Sequence, residues 1–153
     1  MEKGMYTKMA YERLRQGDDL FSHAVVVIPV KTHGRSYGSV SREAVSQGWE
    51  VPSFERVTNS ELRRMGGRTA VFVALWDDVM EYSDALIARC VMSCINTAAL
   101  SGCAILAFPL FGGKDKVQYI AAMEKGVEQA EEQLDAVGLL GPKVLFVTNG
   151  TLA

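Results

Sequence analysis

The sequence predicts an α/β domain on a mixed, largely parallel sheet, and three observations predict it. Short strand-like runs at 24–30, 69–75, 104–110 and 143–148 alternate with segments of helical periodicity. The first run, Ala-Val-Val-Val-Ile-Pro-Val, is β-branched and apolar on both faces, as befits a strand inside a covered sheet. The 153 residues suit one domain, 1–153, and contain no repeat, low-complexity segment or linker.

Taken in order, residues 9–15 alternate in a way that suits a half-exposed edge strand, and a short helix also fits. Gly17-Asp18-Asp19 makes a turn before the strand at 24–30. Pro29 falls near that strand's end, where its missing N–H costs least. A polar loop at 31–37 carries Gly34. Gly38 follows, and 39–47 reads as a helix with Val40, Ala44 and Val45 on one side, ended by Gly48. Between 49 and 67 the pattern is weak. Pro52 breaks any regular element, and Thr58-x-x-Glu61 suits a capping box opening a short basic helix that Gly66-Gly67 closes.

Residues 69–75 form a second buried strand, and Trp76-Asp77-Asp78 a loop. Ser83 or Asp84 opens a helix whose stripe is Leu86, Ile87, Val91, Cys94, Ile95 and Ala98, ended by Gly102. After the strand at 104–110 comes a glycine loop. Ile120, Met123, Val127, Ala130, Leu134 and Val137 then step by threes and fours along a long helix with acidic outer positions. Gly138 and Gly141-Pro142 stop it before a last strand at 143–148.

Bulk properties exclude several classes. Hydrophobic residues make up 48% and charged residues 22%, an ordinary globular balance. A net charge of −2 gives no electrostatic case for sequence-independent nucleic-acid binding. No apolar run approaches a membrane span. The opening Met1-Glu2-Lys3-Gly4 leads into no signal-type apolar region, and Cys90, Cys94 and Cys103 are odd in number. The expectation is a cytoplasmic protein with reduced core thiols. Cys90 and Cys94 lie one helical turn apart, but His23 and His33 are distant in sequence, so no metal site is expected. There is no nucleophile elbow, P-loop or zinc signature.

Three places resemble the macro domain, the ADP-ribose-binding module. The Gly17-Asp18-Asp19 turn and the strand after it are similar to that family's Gly-Asp turn and buried strand. Lys31-Thr32-His33-Gly34-Arg35-Ser36-Tyr37-Gly38 falls at its first glycine-rich loop and helix start. Ala104 through Phe108-Pro109-Leu110-Phe111-Gly112-Gly113 resembles its strand ending in Phe-Pro and a second glycine loop. The resemblance spans most of the chain and is weakest at 49–67.

It implies a three-layer α/β/α sandwich with a mixed, largely parallel sheet. Its cleft would lie at the loops after Val30, Leu75, Leu110 and Thr148, outside the carboxyl ends of the strands. Asp18 would accept from the adenine amino group, or simply make a turn. Lys31, Thr32, His33, Gly34, Tyr37 and Gly38 would line the first diphosphate loop, with the following helix adding its N-terminal dipole. Lys31, His33 and Arg35 are cationic candidates there, or a solvated loop surface. Pro109, Leu110, Phe111, Gly112 and Gly113 would form the second loop, with Phe111 over a ribose or base, or closing the core. Lys114 and Lys116 flank it, partly offset by Asp115. Asn149 would contact the adenosine end, or turn the chain with Gly150.

Departures are also plain. Members usually carry a ribose-orienting Asn where this chain has Lys31, more glycines in the first loop, a small residue where Tyr37 stands, and Gly-x-Gly in the second loop. One hydrolase branch has a catalytic Lys near the end of the strand matching 69–75, and Ala74-Leu75-Trp76-Asp77-Asp78 has none.

The leading expectation is therefore binding of ADP-ribose or a related adenine-nucleotide metabolite with little or no catalysis and no cofactor. An alternative is an ADP-ribosyl hydrolase acting on a modified macromolecule or a small ADP-ribose derivative. It would use His33, Asp77 or Asp78, the last two being ordinary loop residues otherwise. A further alternative is a macro-like scaffold acting through protein contacts, with Trp49, Trp76 and Tyr37 as surface anchors. Oligomeric state is left open.

Overall fold

The computed structural model describes residues 6–13, 24–79, 83–111 and 119–148, with the backbone alone at 6–13 and 147–148. The strands are β1 (Tyr6–Arg13), β2 (Val25–Lys31), β3 (Arg35–Ser36), β4 (Ser60–Met65), β5 (Arg68–Trp76), β6 (Ile105–Pro109) and β7 (Lys143–Thr148). The helices are α1 (Gly38–Ser46), α2 (Asp84–Leu100) and α3 (Ile120–Ala136). The sheet runs β1-β7-β6-β2-β5-β4, with β3 paired to β2 off this path. β1, β7, β6, β2 and β5 are mutually parallel, while β4 runs antiparallel to β5 and β3 antiparallel to β2. The sheet is thus mixed and largely parallel.

Alternation along β2 assigns the layers. Val27 faces α2 and α3, within a core that includes Leu86, Val91, Ile95, Met123, Val127 and Phe108. Val26, Ile28 and Val30 face the other way, toward Ala44 of α1 and toward Trp49 and Phe54. Both faces of the strand are covered, which is why its sequence lacks the polar alternation of an exposed sheet. Helices on both faces complete the three-layer sandwich.

The helix starts follow from local chemistry. Ser83 caps α2, its hydroxyl accepting from the Leu86 N–H at 3.1 Å. The predicted stripe on α2 is buried throughout. On α3, Met123, Val127, Ala130 and Leu134 are buried, while Val137 is the C-cap and lies exposed. Helices α2 and α3 approach closely at Gly126. A Cβ there would lie 2.6 Å from the Ala88 carbonyl oxygen and 2.9 Å from the Val91 Cβ. Cys90 and Cys94 are free and buried in this core. Burial pushes the Cys90 thiol up to about 12 and the Cys94 thiol well above its ordinary value.

Several expectations need correction. Residues 60–65 form strand β4, not a basic helix opened by a capping box. Gly66 and Gly67 both take positive φ (56° and 82°), the requirement of a two-residue I′ hairpin, and they fold β4 back onto β5 from Met65↔Arg68 to Ser60↔Val73. Of the two readings of residues 9–15, the edge strand holds over the described residues 9–13, because β1 pairs with β7 at the end of the sheet. Val45 is exposed, and the buried positions of α1 are Ser41 and Ala44. Trp49 is only 4% exposed and packs edge-on against Phe72, so it is a core residue and no surface anchor. No described helix is long and apolar enough to cross a membrane.

Candidate functional site

Four parallel strands, β2, β5, β6 and β7, end on the same edge of the sheet. The richest polar cluster described there joins the loops after β2 and β5. After Lys31 the chain turns back at once: β3 pairs with β2 through Val30↔Ser36 and Lys31↔Arg35. The connecting turn places His33 and Gly34 at φ 64° and 73°, a conformation glycine adopts freely and His only at some cost. Two backbone bonds hold the turn: Thr32 N–H donates to the Trp76 carbonyl at 3.0 Å, and His33 N–H to that of Phe54 at 2.8 Å.

This hairpin sets Lys31 and Arg35 directly opposite each other. Like charges in that position repel unless an anion lies between them. Asp78 supplies it. Its Oδ1 lies 2.8 Å from the Lys31 Nζ, and its Oδ2 pairs with the Arg35 guanidinium. Arg35 Nε also donates to the Thr32 carbonyl at 3.0 Å, fixing the plane of the guanidinium. Hydrogen bonds from Lys31 and then Arg35 hold the Asp78 carboxyl below its ordinary value. Asp78 itself sits at φ 75°, in the left-handed region.

A bulge brings the aromatic groups in. Val30 pairs with Ala74, but the next residue, Lys31, pairs with Trp76, so β5 carries one extra residue, Leu75. Leu75 stays in the core while Trp76 comes beside Lys31, whose Nζ lies 5.0 Å from the ring centroid. Tyr37 approaches Trp76 with ring centroids 5.4 Å apart. Tyr37 is the N-cap of α1 and makes no side-chain capping bond, and no acidic residue lies in the helix's first turn. The buried Ser41 hydroxyl accepts from the Tyr37 N–H at 2.5 Å, which secures the entry to the helix.

The predicted site residues separate into groups. Lys31, Thr32, His33, Gly34, Tyr37 and Gly38 do come together in the turn and the helix start, with Asp78 beside them. Thr32 is 1% exposed, and its hydroxyl has no hydrogen-bond partner among the described residues. His33 is exposed on the turn. Asp77 Oδ1 accepts from the Val79 N–H at 2.9 Å, closing a local turn. Pro109 is buried at the end of β6, and Leu110 packs against the main core. The Phe111 ring is fully buried, T-shaped against Phe108 at 5.8 Å, so it closes the core rather than covering a ligand. Asp18, Gly112, Gly113 and Asn149 lie outside the described residues.

Sequence reasoning missed the ion-pair role of Asp78, for which the only local signal was two cations four residues apart. It also missed a groove of about 730 Å³ beside β4 and α2. There the Ser60 hydroxyl meets those of Ser93 at 2.6 Å and Thr97 at 2.8 Å. Those hydroxyls satisfy one another, and Glu55 and Glu61 make the lining acidic. Among the described residues no group of His, Cys, Asp and Glu could hold a metal ion.

The architecture defines the chain's class: it has the fold of a macro domain. It superposes on the macrodomain of Mycobacterium tuberculosis DarG with a TM-score of 0.56 at 15% identity, over 91% of this chain and 97% of that one. The macrodomain of Thermus aquaticus DarG gives 0.59 at 12% identity, over 90% and 95%. The alphavirus P23pro-zbd gives 0.59 at 13% identity, over 91% of this chain and 21% of the viral one. No family model and no curated protein matches the sequence itself.

Proposed function

We propose that the protein binds ADP-ribose or a related adenine-nucleotide metabolite at the loops after β2 and β5, with little or no catalysis. One observation carries this reading: Lys31 and Arg35 stand side by side, next to a helix start that lacks a side-chain cap. Cations and helical N–H groups together favour a phosphate. The family resemblance, by implying a diphosphate loop at this same turn, supports the reading. Trp76 and Tyr37 add aromatic surface suited to a ribose or base.

Weak catalysis follows from what the carboxylates are engaged in. Asp78 is ion-paired to two cations, which makes it a poor base at neutral pH. Asp77 closes a turn, and residues 74–78 contain no lysine. Calorimetric titration with ADP-ribose, ADP and NAD tests the reading. Saturable binding of ADP-ribose, weakened by Lys31→Ala with Arg35→Ala, supports it. No heat at millimolar ligand refutes it. Release of free ADP-ribose from a modified protein would move the function to the hydrolase class.

A further inference from the structure

We propose that Asp78 is a built-in competitor for this site, a carboxylate that fills the oxyanion seat between Lys31 and Arg35 until a phosphate group displaces it. The inference rests on reading the site as a phosphate site. It adds that the free protein already carries an internal anion there, and that binding is an exchange.

The geometry argues for exchange. The carboxylate presents one oxygen to each cation, as two non-bridging oxygens of a phosphate would. The backbone positions of the two cations are set by the β2–β3 hairpin, and Arg35 is further held by the Thr32 carbonyl, so the pair stays on this turn when Asp78 leaves. Asp78 comes from a different loop, some 40 residues further along the chain, and reaches the seat from a left-handed backbone position. A residue there can leave without dismantling the hairpin.

The strengths also permit exchange. Lys31, Arg35 and Asp78 are all partly exposed, at 24%, 44% and 38% of their side chains. Ion pairs at such sites are weak and screened by salt. A diphosphate carries two negative charges and several acceptor oxygens, and outcompetes a monoanionic carboxylate for the same two donors. The device therefore selects diphosphates over simple carboxylates.

The test uses Asp78→Asn in the full chain. Asn removes the charge and tolerates positive φ, so the loop keeps its path, and Asp78→Gly is a second variant that also accepts this backbone. Pyrophosphate and ADP-ribose are titrated into both variants and the native protein. The expected result is affinity for pyrophosphate and ADP-ribose raised roughly three- to tenfold in both variants, as two exposed ion pairs no longer compete. Unchanged or weaker pyrophosphate binding in both variants overturns the proposal. If pyrophosphate tightens while ADP-ribose binds nothing, the competitor stands and the ADP-ribose reading falls. If ADP-ribose binds the native protein and the variants equally, that reading stands and the competitor falls. Absence of binding by either anion in every form overturns both.

Discussion

Lys31 and Arg35 are cross-strand partners in the β2–β3 hairpin, two cations set opposite each other by a turn of three residues. Their shared counter-ion, Asp78, belongs to the loop after β5. The bridge therefore joins two loops at the carboxyl ends of the parallel strands, and it has a defined dependence on pH.

Asp78 has its folded-state pKa lowered from 3.8, chiefly by its hydrogen bond from Lys31 and then by that from Arg35. A depressed carboxylate contributes stability above its unfolded pKa and loses that contribution as pH falls through the folded value. The melting temperature of native protein should thus exceed that of Asp78→Asn at neutral pH and low salt. The gap should narrow below about pH 4 and shrink with added salt. Melting curves at stepped pH check this, and a gap that persists at pH 2 would contradict the ion-pair account.

Gly126→Ala tests the contact between α2 and α3. In an open helix this change would stabilise by about 1 kcal/mol through propensity. Here the new methyl meets a backbone oxygen at 2.6 Å, which no rotamer change relieves. The clash should win, giving a net loss of about 1–3 kcal/mol in urea unfolding. A neutral or stabilising result would mean the helices separate more easily than their packing implies.

Thiol reactivity reports the burial of the core. Cys90 has its pKa pushed up to about 12, and Cys94 lies fully buried beside it. Both should resist a disulfide reagent at pH 8 in the native protein and react on unfolding, since the thiolate is the nucleophile. Cys103 is only partly buried and should react first. Mass spectrometry of the labelled peptides distinguishes the three.

The buried strands were legible because covered strands are written as short apolar runs, β-branched above all in β2, and β2, β5, β6 and β7 fall where those runs lie. The stripe on α2 was legible for the same reason, at helical period. Strand β4 was not. Ser60-Glu-Leu-Arg-Arg-Met has one strong apolar residue, and Thr58-x-x-Glu61 imitates a helix start, whereas Gly66-Gly67 was the better guide because it forms a hairpin turn. The turn at 31–38 was readable from its charges and glycines. The partnership of those charges with Asp78 was not, because it depends on the register between β2 and β5. Phe111 offered two roles in sequence, and packing against Phe108 selects the core.

The bulge at the end of β5 gives the site a dependence on chain length. With one residue fewer between Ala74 and Trp76, a tryptophan would occupy the interior position now held by Leu75, and Asp78 would be drawn back from the two cations. Residue count at this point acts as a ruler, measuring out which side chains reach the edge where Lys31 and Arg35 stand. A single residue added or dropped here would change which groups reach that edge, without substituting any of them.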